Sequence, residues 1–179
     1  MKTFSARRRG RGFSMVEVLV ALIVLSVGLL GIAKMQALAL SSTTIAASRS
    51  LAAIEASSLA DAMHANRVYW ASNASVVIPP VSVAGATVSN SPTAAPTSCA
   101  PCTALSLAAY DLQQWANALN ALLPNDQATI ACTATTPISC TIQITWSEKT
   151  VAINTQEQTQ VSNTNVDINN PQYTLYVEP

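Results

Sequence analysis

A chain of 179 residues is long enough for one modest domain plus a membrane or signal segment, and too short for a multi-domain enzyme. Half of the residues are hydrophobic and a tenth are charged, with few aromatics, so the apolar content lies in Ala, Val, Leu and Ile and suits long helices and membrane contact. The formal net charge of zero hides an asymmetry: Lys2, Arg7, Arg8, Arg9 and Arg11 are five of the nine cations, and beyond Gly12 four cations face nine acids, which leaves nucleic-acid binding by phosphate neutralisation without support.

The basic N-terminal cluster reads as a cytoplasmic topology signal. Phe13 to Ala33 follows, a run of twenty-one residues whose only ionisable side chain is Glu17. As a helix this run is about 32 Å long, enough to cross a bilayer core. An ordinary secretory signal has a shorter apolar region ending at a small-residue cleavage site, whereas here the run continues into more helix.

From Lys34 to Arg67 there is neither Gly nor Pro, and Leu38, Ile45, Ala52 and Leu59 recur every seven residues, joined by Ala56 and Met63. That is one amphipathic stripe, and the simplest reading is a single helix of about fifty residues with a lipid-facing half (13–35) and an amphipathic half (36–67) packing a soluble domain. Asn66 and Arg67 suit its C-terminal end.

Residues 68–104 are expected to form a Pro-containing connection: Ala71 to Ser98 holds Pro79, Pro80, Pro92 and Pro96 and reads as a long surface loop with a short strand at Val76 to Ile78. A second amphipathic helix is predicted where Leu105, Ala108, Leu112, Trp115, Leu119 and Leu122 keep helical spacing ahead of Pro124. Ile138, Cys140, Ile142, Ile144 and Trp146 then alternate with polar residues, and Ile130 and Cys132 continue that parity across a turn at Ala134 to Pro137, which predicts two antiparallel strands. Tyr173, Leu175 and Val177 alternate again in a third strand. The fold class is therefore α+β: a long N-terminal helix followed by a head at 105–179 made of a helix and a small antiparallel sheet.

The segment RGRGFSMVEVLVALIVLSVGLLGIAKMQ resembles the class III signal and first helix of type IV pilins and their type II secretion relatives. The resemblance implies removal of a leader, residues 1–12, by cleavage between Gly12 and Phe13, with N-methylation of Phe13. It also implies that Glu17, the fifth mature residue, neutralises the N-terminal amine of a neighbouring subunit during assembly. Physics agrees, because an ionised carboxylate inside an apolar helix costs several kcal/mol unless paired. The unpaired alternative for Glu17 is a place near the headgroups, neutral or snorkelling.

LADAMHANR, the pair Cys99 and Cys102, and AYDLQQW further resemble minor pilins of the pilus modification (PilV) type, while residues 148 to 171 match no family feature. The implied protein is a non-enzymatic minor pilin. It is held in the inner membrane by one pass with its N-terminus cytoplasmic and its head periplasmic, and it contributes to pilus assembly or modification. Its implied partners are other pilin subunits, the prepilin peptidase, inner-membrane lipid and the pilus assembly platform. A minor pseudopilin of type II secretion shares the N-terminal chemistry, and a signal-anchored periplasmic enzyme is the remaining alternative.

Four cysteines allow three pairings. A hairpin centred on Thr136 sets Cys132 opposite Cys140, which favours that pair and leaves Cys99 with Cys102. CAPC also has the spacing of a redox motif or half of a metal site, but it lacks a preceding strand and His64 is the only histidine, so a structural bridge is preferred. No cofactor or metal is expected. SNTNVDINN carries Asn and Asp without the spaced acids and glycine of a calcium loop. Gly28 and Gly31 in the apolar run mark either a local helix weakness or tolerated small residues. Trp115 and Trp146 read as core, as do Tyr69 and Trp70 after the helix end.

Overall fold

The computed structural model describes residues 12–71, 80–148 and 170–179. The expected leader up to residue 11, the strand expected at Val76 to Ile78 and the polar stretch with SNTNVD lie outside the described residues. The chain divides into two compact units, Met1–Leu40 and Ser41–Pro179, and helix α1 runs over Met15–Ala65.

In the first unit, the Ser14 carbonyl accepts from the N–H groups of Glu17 (3.0 Å) and Val18 (3.3 Å), so the helix starts within the apolar run. Every Leu, Ile, Val, Met and Phe from Phe13 to Met35 is exposed. The helix is long and apolar enough to cross a membrane. Gly28 and Gly31 lie inside it without a break, and a Cβ added at either meets nothing within 4 Å.

In the second unit, α1 buries Ala52, Ala56, Leu59 and Met63 of the expected stripe, together with Ala60, whereas Ile45 is only half-buried. The helix stops at Ala65 because Asn66 leaves helical geometry (φ −113°, ψ 49°). Its side-chain amide donates to the Ala104 carbonyl at 2.8 Å. One further turn, α2 (Arg67–Trp70), buries Tyr69 and Trp70, whose rings meet edge-on with centroids 4.9 Å apart.

The connection expected to be a loop contains a hairpin: β1 (Val81–Ala84) pairs antiparallel with β2 (Thr87–Ser89). Gly85 turns it with φ +57°, and glycine at the first of two central positions suits a two-residue hairpin loop. Val81 and Val83 alternate with Ser82 and Ala84, and both valines are buried. The alternation is only two valines long, too short to stand out beside the prolines around it.

Helix α3 covers Ala104–Leu122. Thr103 caps it reciprocally: its Oγ1 accepts from the Ser106 N–H at 3.2 Å while its own N–H donates to Ser106 Oγ at 2.9 Å. Ala108, Leu112, Trp115 and Leu119 are buried as the spacing predicts, together with Ala109 and Ala116. Leu105 and Leu122 are not core residues, being 46% and 43% exposed. They occupy the first and last turns, where the helix runs past the side chains covering its middle.

β3 (Gln127–Cys132), β4 (Cys140–Thr145) and β5 (Gln172–Val177) complete a five-stranded antiparallel sheet in the order β2-β1-β3-β4-β5. The register places Ile130 opposite Ile142 and Cys132 opposite Cys140, as a hairpin centred on Thr136 requires. Ile130, Ile142, Ile144, Trp146 and Val177 join Leu59, Met63, Leu112 and Leu119 in one core. Burying each such aliphatic side chain contributes about 1.5–3 kcal/mol.

Candidate functional site

At the N-terminal end, Gly12, Phe13 and Glu17 stand on the open start of α1, with Phe13 84% exposed. Glu17 lies in the first helical turn, one turn after Phe13. Among the described residues no side chain pairs with its carboxylate. The arrangement presents an apolar residue, Phe13, and a single carboxylate on a surface that is otherwise uncharged and mostly hydrocarbon up to Ala33.

Within the second unit the cysteines are joined as Cys99–Cys102 and Cys132–Cys140, with Cα atoms 5.1 Å and 3.9 Å apart. The two bridges differ in setting. Cys140 is 0% exposed and belongs to the core, whereas Cys99 and Cys102 are both half-buried at the approach to α3. His64 is exposed in the last turn of α1. Among the described residues no group of three or more His, Cys, Asp or Glu is placed to hold a metal ion.

Four acidic positions escaped the sequence reading. Glu148 is buried, and its two oxygens accept from Arg49 Nε and Nη2, each at 3.1 Å, in a fork that joins α1 to the end of β4. Trp146 Nε1 donates to the same carboxylate at 3.1 Å. Its acceptor role beside Arg49 raises the guanidinium further above its ordinary range. The signal was available, because Glu148 continues the parity of Ile142, Ile144 and Trp146 and so faces the core, where a carboxylate needs a partner.

Asp126 is only 2% exposed, and among the described residues neither carboxylate oxygen has a hydrogen-bond partner. Burial pushes its carboxyl above the usual aspartate range. Glu55 and Asp111 line a groove of about 360 Å³ between α1 and α3 with Ser58, Tyr110 and Gln114. Burial raises both of these carboxyls as well. Beside them, Trp115 Nε1 donates to the Glu55 carbonyl at 2.9 Å and so ties the two helices together.

The family described as the prokaryotic N-terminal methylation motif matches residues 7–33. Comparison with curated proteins and with solved structures gave no match. The matched segment takes in Gly12, Phe13 and Glu17 and the exposed apolar part of α1, whose length and hydrocarbon surface are consistent with membrane anchoring. A motif of this kind implies contact with other pilins and with a prepilin peptidase. Together with the long helix and antiparallel sheet, it supports a pilin-like protein.

Proposed function

We propose that the chain is a minor pilin, a non-enzymatic subunit that enters or modifies a type IV pilus after a prepilin peptidase cuts between Gly12 and Phe13 and Phe13 is N-methylated. The observation that carries this reading is the methylation motif at 7–33 running into a helix that exposes every large apolar side chain up to Met35 and one carboxylate, Glu17. Before assembly, lipid covers that surface, the head lies in the periplasm, and the basic leader holds the N-terminus in the cytoplasm. During assembly the first helices of neighbouring subunits replace the lipid. Glu17 then meets the amine of a neighbour's Phe13, since both charges lie at similar depth and attract strongly where water is excluded. The LADAMHANR and AYDLQQW segments favour a pilus over a secretion pseudopilus.

Glu17→Gln tests the reading. Gln has nearly the shape of Glu, so insertion and folding of the head are retained, while the neighbour's ammonium loses its counter-charge at a cost of about 3–5 kcal/mol for a broken buried pair. Fractionation of membrane-held from sheared-fibre protein is expected to show the variant in the membrane and depleted from fibres. Equal incorporation at equal expression refutes the assembly contact. Intact-mass analysis of fibre protein is expected to begin at a methylated Phe13, and retention of Met1 refutes the cleavage.

A further inference from the structure

The two disulfides sit in opposite chemical settings, and we infer that the Cys99–Cys102 bridge is a thiol–disulfide exchange site for a dithiol reductant, while Cys132–Cys140 is inert in the folded protein. This inference stands independently of the pilus reading.

Exchange needs a sulfur that a thiolate can reach and a leaving sulfur that can carry negative charge. Cys99 and Cys102 are both half-buried rather than enclosed. Cys102 immediately precedes Thr103, the N-cap of the nineteen-residue helix α3. The partial positive charge of a helix start favours a thiolate, and the first turn of α3 holds no acidic residue to oppose it.

The second bridge does not meet both requirements together, although Cys132 is half-buried like Cys99 and Cys102. Cys140 is 0% exposed in the core, so attack on its sulfur is blocked. Attack on Cys132 would expel a thiolate at Cys140 among Ile138, Ile142 and Val177, where an apolar setting raises the thiol pKa and makes it a poor leaving group. The β3–β4 register that holds the two residues opposite each other would have to open first.

The step balances as follows. A thiolate of the dithiol attacks Cys99 Sγ, forming a mixed disulfide and expelling Cys102 as thiolate, which takes a proton. The dithiol's second thiolate attacks its own sulfur in the mixed disulfide, releasing Cys99 as thiol and closing the reductant's ring disulfide. Two electrons and two protons pass from reductant to the cysteine pair. The product opens the small ring that the bridge closes just before α3, while the Thr103–Ser106 cap and the Asn66–Ala104 hydrogen bond still hold the helix start.

The test uses the full chain in detergent, a graded series of dithiothreitol, trapping with N-ethylmaleimide, peptide mapping by mass, and circular dichroism in parallel. The expected result is modification of Cys99 and Cys102 at a reductant concentration at least about tenfold below that for Cys132 and Cys140, with the dichroism unchanged. Simultaneous or reversed modification overturns the inference, as does modification of Cys99 and Cys102 only when the dichroism is lost. A short pulse of glutathione, a monothiol that stops at the mixed disulfide, is expected to leave its adduct on Cys99. An adduct on Cys102 overturns the assignment of Cys102 as leaving group.

Discussion

In the unit Met1–Leu40 the large apolar side chains from Phe13 to Met35 are all exposed, none below 48%, whereas in Ser41–Pro179 Leu59, Leu112, Ile130, Ile142 and Ile144 are at most 2% exposed. The residue types are the same, and what differs is who covers them. Each buried Leu or Ile of the second unit draws its roughly 1.5–3 kcal/mol from the chain itself. The first unit gives its apolar side chains no such cover, as expected of a helix long and apolar enough to cross a membrane. Ionisable groups follow the same division. Glu148 has its partners within the chain, and Glu17 has none among the described residues.

The largest separation of the two units is expected from one substitution made in each. Leu112→Ala removes a side chain that is 0% exposed and is expected to cost about 2–5 kcal/mol through lost transfer energy and the cavity left behind. Leu22→Ala, on a residue 59% exposed, is expected to stay within about 0.5 kcal/mol. Denaturant unfolding in detergent, followed by tryptophan fluorescence, reports on the second unit, which holds Trp70, Trp115 and Trp146. Comparable losses from both substitutions would break the distinction.

A smaller effect is expected at the fork between α1 and the end of β4. Arg49→Met leaves the buried Glu148 carboxylate with Trp146 Nε1 as its remaining donor among the described residues, at a cost of about 1–3 kcal/mol. Arg49 is 62% exposed, so water solvates its charge in the wild type and the loss stays below that of a fully buried pair. Glu148→Gln in the Arg49→Met background is expected to recover part of it, because a neutral amide no longer strands a charge. A double-mutant cycle on unfolding free energies measures the coupling, and a coupling of zero removes the fork from the account.

The fold was legible wherever a period ran long enough. The heptad marked the buried face of α1 at Ala52 and Leu59, though Leu38 and Ile45 are only half-buried, and the alternation from Ile138 to Trp146 marked the buried face of β4, down to Cys132 lying opposite Cys140. The β1–β2 hairpin was missed because the two valines before Gly85, Val81 and Val83, carry little pattern against a run of prolines. Arg49 and Glu148 lie 99 positions apart, and no local pattern links them, although the parity of Glu148 already required some partner. Of the candidate site, Gly12, Phe13 and Glu17 were readable because a short contiguous motif holds them. Asp126 was not, because an aspartate after Asn125 and before a strand looks like ordinary turn chemistry until burial is seen.

Asp126→Asn is expected to stabilise the second unit by about 1–2 kcal/mol at neutral pH, since it replaces an unpartnered buried carboxylate with a neutral group of the same shape. The pH dependence supplies the sign. The folded carboxyl titrates above its unfolded value of 3.8, so the folded state holds the proton more tightly. The associated stability is fully present below pH 3.8 and is lost as pH rises through the folded value. The advantage of the Asn variant is therefore expected to be small at the acid end and to grow with pH to a plateau. An advantage that shrinks with rising pH would mean that Asp126 is paired in solution.

The smallest effect, and the sharpest contrast, comes from glycine to alanine in the two units. Gly28 and Gly31 sit in regular helix, and a Cβ at either meets nothing within 4 Å. Alanine there relieves about 1 kcal/mol of helix penalty without touching the head, so Gly28→Ala is expected to leave the unfolding curve of the second unit where it was. At Gly85 the backbone holds φ +57°, and an added Cβ lies 3.3 Å from Asn120 Oδ1. Gly85→Ala is expected to cost about 1 kcal/mol, because an L side chain in left-handed geometry crowds its own carbonyl. Gly85→Asn separates the two causes. Asn tolerates that backbone better than Ala but puts its Cβ against the same Asn120 atom. Recovery in the Asn variant assigns the loss to the backbone, and no recovery assigns it to the contact with α3. If Gly85→Ala instead costs nothing, the β1–β2 turn is not held in this conformation, and the edge of the sheet behind it is less fixed than its register implies.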